Sequence, residues 1–200
     1  SFRLADVWPG TPDLVVISPN DPQAMMNLTD ECRQRGIRFL YDPSQQVPRL
    51  SGEELARSMQ NAYTMVINAY EAEVICHKTG QTIDDLRRAT DILVITQGPN
   101  GSHIYANDER YEIPAFPCDA IKDPTGAGDA FRGGFLRGLA SGWPLPLAGQ
   151  LTMRMGLGAA EGIAQVTGVE PQLKLPNDLL VRGRKLGGML TELNSVDGQL

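Results

Sequence analysis

The chain has 200 residues, and with 42% of them hydrophobic it carries enough apolar side chain to bury a core and too much for a disordered protein. With 18 basic against 24 acidic residues the net charge is −6, which argues against a nucleic-acid or anionic-membrane partner that would favour a basic face. No apolar run reaches the roughly 18–20 residues that span a bilayer, and the N-terminus lacks the basic segment and apolar stretch of a signal peptide.

Strand and helix alternate from the start. Asp13–Ser18 is a short, almost wholly apolar run that suits a strand buried on both sheet faces. Asp21-Pro22 supplies an N-cap and a first-turn proline for a helix that stops at Gly36, just after Arg33 and Arg35. Arg38–Tyr41 reads as the next strand and runs into Asp42-Pro43-Ser44-Gln45-Gln46. Ser51-Gly52-Glu53-Glu54 is a capping box, predicting a helix through about Ala62. Met65–Asn68 follows as a strand, then a helix from near Tyr70-Glu71, a short helix over Thr82–Ala89 and a buried strand over Ile92–Thr96.

After Gln97–Gly101, the segments His103–Ala106 and Arg110–Ile113 flank a turn and predict an antiparallel hairpin. From Asp129 onward the expectation is mainly helix, with two closely packed helices between Leu136 and Ala160 broken near Trp143-Pro144, and a frayed tail over Asn194–Leu200. Buried strands alternating with helices imply a three-layer α/β/α fold around a mostly parallel central sheet, taken as one domain over residues 1–200. In such sheets ligands bind beyond the carboxyl ends of the strands.

Cys32, Cys76 and Cys118 show no paired spacing, so they are expected to be reduced thiols of a cytoplasmic protein. His77 and His103 are expected to be surface imidazoles, since nothing resembles a zinc motif.

The densest signal is Asp123-Pro124-Thr125-Gly126-Ala127-Gly128-Asp129-Ala130-Phe131, leading into helix. Its small residues let the backbone approach a ligand, and amides at a helix start make an anion-binding concavity. A carboxylate beside such a site is awkward unless it transfers a proton or meets a cation, so Asp129 is placed as a general base for a hydroxyl attacking phosphorus. Read blandly, the same Asp is a helix cap after a glycine loop. Asn68 and Glu71, after a strand end, offer hard oxygens suited to magnesium, although Glu71 also fits a plain first-turn helix acid. Thr96, Gly98 and Gly101 allow close backbone approach to phosphate or ribose, or form a simple turn. The chain has no GxxxxGK[ST], no GxGxxG after a strand and no protein-kinase signature.

Residues 123–136, DPTGAGDAFRGGFL, resemble the C-terminal signature of the pfkB (ribokinase-like) carbohydrate and nucleoside kinases, and the likeness extends over about residues 14–172. The resemblance implies a ribokinase-like fold and an ATP-dependent kinase. It makes Asp129 the base and the amides of Gly126, Ala127 and Gly128 the anion hole. It assigns Asp123 and Thr125 to a monovalent cation, usually potassium. Asn68-Ala69-Tyr70-Glu71 resembles the family's N-x-x-E motif for magnesium and phosphates, and Thr96–Gly101 resembles its T-x-G-x-x-G nucleotide border. Gly168, in Gln165–Val169, falls where the adenine pocket closes, or is a helix C-cap.

Asp42–Gln46 looks like the adenosine-kinase branch, making a nucleoside, adenosine first, the expected acceptor. A ribokinase- or fructokinase-type sugar kinase and a non-catalytic nucleotide-binding module are the alternatives. Full-length members are longer and form their lid and most of the acceptor site from an N-terminal portion that nothing before Leu14 resembles. The expectation is therefore a C-terminal nucleotide-binding and catalytic portion, which alone would lack activity, and a homodimer in the full-length form.

Overall fold

The computed structural model describes residues 3–8, 10–115 and 127–150, together with three strands between residues 172 and 188. The chain divides into two compact units, Ser1–Tyr111 and Glu112–Leu200.

In the first unit a six-stranded sheet runs in chain order: β1 (Val15–Ile17), β2 (Phe39–Tyr41), β3 (Ala62–Asn68), β4 (Thr90–Thr96), β5 (Ser102–Ala106) and β6 (Glu109–Ile113). β1 to β4 are parallel and β5 turns back antiparallel on β4. The crossovers are α2 (Pro22–Arg35), α3 (Gly52–Met59), and the pair α4 (Ala69–Thr79) and α5 (Ile83–Ala89). Because each crossover steps to the next strand, a constant hand puts these helices on one face, and α2 packs on α3 and α3 on α4.

Alternation along the strands sorts the side chains. Ile17, Phe39, Tyr41, Met65, Ile67, Leu93 and Ile95 join Met25, Cys32, Leu55, Met59, Ile75 and Leu86 from the helices in one core. The intervening Leu40, Val66, Val94 and Ile104 are buried as well. Burial on both faces is why these strands read as continuous apolar runs instead of alternating ones.

The helix ends follow their caps. The Asp21 side chain accepts the Ala24 N–H at 3.0 Å, and Gly36 closes α2 at φ 66° with its N–H on the Arg33 carbonyl. α3 ends at Met59 instead of Ala62, because Asn61 turns left-handed at φ 59° and Ala62 already pairs with Thr90. The same pairing starts β3 and β4 earlier than their apolar runs. Asn107 and Asp108, at φ 50° and 61°, make the tight turn of the expected hairpin. A one-turn helix, α1 (Leu4–Val7), was not expected; Glu31 holds it by accepting the Leu4 and Ala5 N–H groups at 2.7 and 2.9 Å.

In the second unit α6 (Ala127–Ala140) is followed by a turn and a helix at 145–150, matching the expected break near Trp143-Pro144. The helices touch closely: a Cβ on Gly138 would sit 2.5 Å from the Ala148 Cβ. The expectation of a mainly helical remainder did not foresee β7 (Gln172–Lys174), β8 (Asp178–Val181) and β9 (Arg184–Gly188), which form an antiparallel sheet. The missed signal was polar–apolar alternation in Gln172-Leu173-Lys174 and Lys185-Leu186, masked by a glycine-rich surrounding composition. Cys118 and the Asn194–Leu200 tail lie outside the described residues.

Candidate active site

The carboxyl ends of β3 and β4 bring Asn68 and Thr96 together as register partners, and Thr96 also pairs with Ser102 of β5. Asn68 is at once the last residue of β3 and the N-cap of α4. Its side chain accepts the Glu71 N–H at 2.8 Å, while Glu71 Oε2 accepts the Asn68 N–H at 2.8 Å. Burial pushes the Glu71 carboxyl above its ordinary range, against the lowering effect of the Asn68 hydrogen bonds. The box leaves Oε1 of Glu71 without a hydrogen bond among the described residues. Both readings of Glu71 therefore meet in one side chain: it caps the helix with one oxygen and presents the other at the strand ends.

An oxygen-only donor pair of this kind suits magnesium, which keeps several waters and shares its shell with phosphates. Among the described residues there is no cluster of three His, Cys, Asp or Glu side chains that could hold a metal ion. Between the two motif residues Tyr70 stands 69% exposed.

Beyond Thr96 the chain makes a tight loop, a single 3-10 turn over Gly98–Asn100. The Gln97 N–H reaches the Gly101 carbonyl at 2.8 Å, and both glycines have positive φ, 55° and 90°. Thr96, Gly98 and Gly101 thus lie in one exposed-tipped loop beside Asn68 and Glu71, as the ligand-binding rule for parallel sheets requires. His103 departs from the surface-imidazole expectation, being half-buried with Gln97 on Nδ1 at 2.7 Å and Arg110 on Nε2 at 3.1 Å.

At the end of β2, Asp42 is buried and accepts the Ser44 hydroxyl at 2.7 Å. Gln46 is also buried, and its Oε1 finds no partner among the described residues. The segment that follows is fastened to α4 by Lys78, whose Nζ donates to the Val47, Pro48 and Leu50 carbonyls at 3.0, 2.8 and 2.7 Å. Burial raises the Cys32 thiol to about 11 and also raises the Cys76 thiol, so neither is a reactive thiolate at neutral pH.

In the second unit Ala127, Gly128 and Asp129 open α6, which sets Asp129 in the first turn. Its carboxylate is exposed, and Oδ1 is held by the Arg132 guanidinium one turn on. Oδ2 makes no hydrogen bond among the described residues. Arg132 was missed at the level of sequence, although its i+3 spacing from Asp129 was there to be read. Asp123, Thr125, Gly126 and Gly168 lie outside the described residues.

A sequential α/β sheet with polar groups gathered at its strand ends, and a helix that opens on Ala127-Gly128-Asp129, fit a ribokinase-like fold. Comparison with known proteins names the family: residues 8–169 match the pfkB family of carbohydrate kinases, and the chain belongs to it. It is 31% identical over 162 residues to the nucleoside kinase of Methanocaldococcus jannaschii, covering 80% of this chain and 52% of that protein. A cytidine kinase of Thermococcus kodakarensis is 29% identical over 159 residues, covering 76% of this chain and 55% of the relative. The structure of Burkholderia thailandensis nucleoside kinase in complex with inosine superposes with a TM-score of 0.70 at 33% identity, covering 80% of this chain and 59% of that one. The chain spans about half the length of the curated relatives it matches.

Proposed function

We propose that the chain is the nucleotide-binding and catalytic portion of an ATP-dependent kinase that phosphorylates a hydroxyl of a nucleoside. The observation that carries this reading is Asp129 in the first turn of α6, directly after Gly126-Ala127-Gly128, with one carboxylate oxygen held by Arg132 and the other free of hydrogen bonds among the described residues. A carboxylate fixed by one oxygen can take a hydroxyl proton on the other. As it does so, the hydroxyl oxygen bonds to the γ-phosphorus, the bond to the bridging oxygen breaks, and ADP leaves. Amides at 126–128 would neutralise charge developing on the transferred group.

Glu71 and Asn68 would hold magnesium through water, and magnesium when bound would screen the phosphate oxygens. Thr96, Gly98 and Gly101 would border the nucleotide, and Gly168 would close its adenine side. Asp123 and Thr125 would serve a monovalent cation, to be tested by exchanging potassium for tetramethylammonium in the same assay.

A nucleoside is favoured over a sugar by three similar proteins: two curated relatives, one a nucleoside kinase and one a cytidine kinase, and a solved nucleoside kinase bound to inosine. Within that class adenosine is the first acceptor to test, because Asp42-Pro43-Ser44-Gln45-Gln46 resembles the adenosine-kinase branch.

The test is phosphoryl transfer from labelled ATP by the full-length protein to adenosine, inosine, cytidine, ribose and fructose. A phosphorylated nucleoside is expected. A product from ribose or fructose alone makes the protein a sugar kinase, and ATP binding without any product leaves a nucleotide-binding module. Asp129→Asn should lower turnover by about 10²–10⁴-fold with ATP affinity retained; turnover like that of the unaltered protein would remove Asp129 as the base.

A further inference from the structure

We propose that His103 is a positioning residue for ATP, acting through Gln97 to fix the Gln97–Gly101 loop; this rests on the reading that the loop borders the nucleotide. The loop has little else to hold it. Its tip, residues 98–100, is exposed, and its internal bonds (Asn100 N–H to the Gln97 carbonyl and Gly101 N–H to the Gly98 carbonyl, both 3.1 Å) fix its shape, not its place. Two glycines at positive φ make it entropically costly to order. Among the described residues, the contact from Gln97 to His103 is the only side-chain hydrogen bond from residues 97–101 to the sheet.

The His103 ring is itself fixed from three sides. Gln97 lies on Nδ1 at 2.7 Å, Arg110 on Nε2 at 3.1 Å, and Tyr105 meets it edge-on with ring centroids 6.2 Å apart. Tyr105 is in turn covered by the Arg87 guanidinium of α5, 5.2 Å from the ring centroid. A guanidinium can only donate, so Nε2 must accept from Arg110. The ring proton then sits on Nδ1; the Gln97 group facing it at 2.7 Å is placed as Nε2, and exchanging its amide oxygen and nitrogen, which are told apart only by such partners, lets the oxygen accept that proton. This tautomer makes His103 a rigid peg, built on strands β5 and β6, that holds the Gln97 side chain from one side. Pre-ordering a loop of this kind lowers what ligand binding must spend in entropy.

Calorimetric titration of ATP into the full-length protein tests it, alongside steady-state kinetics. His103→Leu should weaken ATP binding by about tenfold, the effect of losing one well-placed hydrogen bond and the order it imposes. KM for ATP should rise in step, with kcat and the acceptor KM unchanged. His103→Asn keeps a donor where Nδ1 stands and should retain most of the affinity, which distinguishes the bond from the bulk of the ring. Gln97→Ala should match His103→Leu, and the double variant should be no weaker than either alone. Thermal midpoints of the variants report any general loss of fold.

Gly101→Val, which forces a branched side chain onto φ 90°, tests the underlying reading. If it weakens ATP while His103→Leu does not, the role of His103 is refuted and the loop reading stands. If Gly101→Val leaves ATP affinity unchanged, the loop does not border the nucleotide, and the proposal for His103 falls with it.

Discussion

Glu71 allows its two roles to be separated by a single pair of variants. In the box with Asn68, Oε2 of Glu71 accepts the N-cap N–H, and the carboxylate sits in the first turn of α4. Glu71→Gln keeps an acceptor at that position, and glutamine serves in capping boxes as glutamate does. The folded chain should therefore change by less than about 0.5 kcal/mol. Glu71→Ala loses the hydrogen bond that closes the capping box, about 1–2 kcal/mol. At about 2–4 °C per kcal/mol for a chain of this size, the alanine variant should melt about 2–8 °C lower and the glutamine variant within about 2 °C of the parent.

Magnesium should rank the variants differently. Both lack the carboxylate, so both should need about 10–100-fold more magnesium for half-maximal phosphoryl transfer, the range seen when an outer-shell metal partner is removed. Calorimetric or fluorimetric melting with a magnesium titration of turnover provides both readouts. If Glu71→Gln shows the parent's magnesium dependence while Glu71→Ala loses only stability, Glu71 is a helix cap and the metal assignment is wrong.

Two glycines of α6 should respond in opposite directions: Gly133→Ala, whose Cβ meets nothing within 4 Å, should stabilise by up to about 1 kcal/mol, whereas Gly138→Ala drives a methyl against Ala148 at 2.5 Å and should destabilise by about 1–2 kcal/mol net of its helix propensity. Denaturant melts of the pair would contradict the observed helix contact if both alanines stabilised. Lys78→Met removes an ammonium that donates to three carbonyls and should cost about 2 kcal/mol, read as a fall of roughly 4–8 °C in thermal midpoint. An unchanged midpoint would show that water replaces the ammonium there.

Acid stability carries a sign that can be checked. Hydrogen bonds from the Thr82 hydroxyl and N–H, and then from Arg88, lower Asp85 from 3.8 to about 2, so its stabilisation is present above the unfolded value and lost as pH falls toward 2. Asp85→Asn should flatten that part of the acid limb. Glu71 runs the other way, since burial raises its pKa and stability is lost as pH climbs through the raised value. Melts of Glu71→Gln and the parent between pH 4 and 8 should therefore diverge in the glutamine variant's favour with rising pH.

Elements whose start and stop are chemically marked were legible from sequence. Asp21-Pro22, Ser51 with Glu54, and Gly36 each act within four residues of where they sit, so α2 begins and stops where its signals stand and α3 begins at its capping box, although its end falls earlier than expected. What needed a partner strand was less legible. Ala62 and Thr90 enter the sheet because they pair with each other, a fact invisible in either segment alone. The Gln97 contact with His103 likewise depends on β5 folding back in the register that sets Thr96 opposite Ser102. Reading His103 as a surface imidazole failed for that reason. The β7–β9 sheet was missed because three strands of three to five residues give too few alternations to outweigh a glycine-rich context.

The candidate site residues of the first unit are also residues on which the fold depends, and this shapes what mutation can reveal. Asn68 ends β3 and starts α4; Thr96 ends β4 and pairs with Ser102; Glu71 completes a helix cap. A parallel strand must hand over to a helix where its carbonyls and the next helix's amides are both unpaired, so polar side chains collect there whether or not a ligand binds. Catalysis can recruit such a junction because the capping geometry has already oriented a carboxylate. An alanine scan of this edge would therefore confuse loss of fold with loss of function. Isosteric exchanges that preserve the cap, such as Glu71→Gln, are the ones whose kinetic effects can be assigned to chemistry.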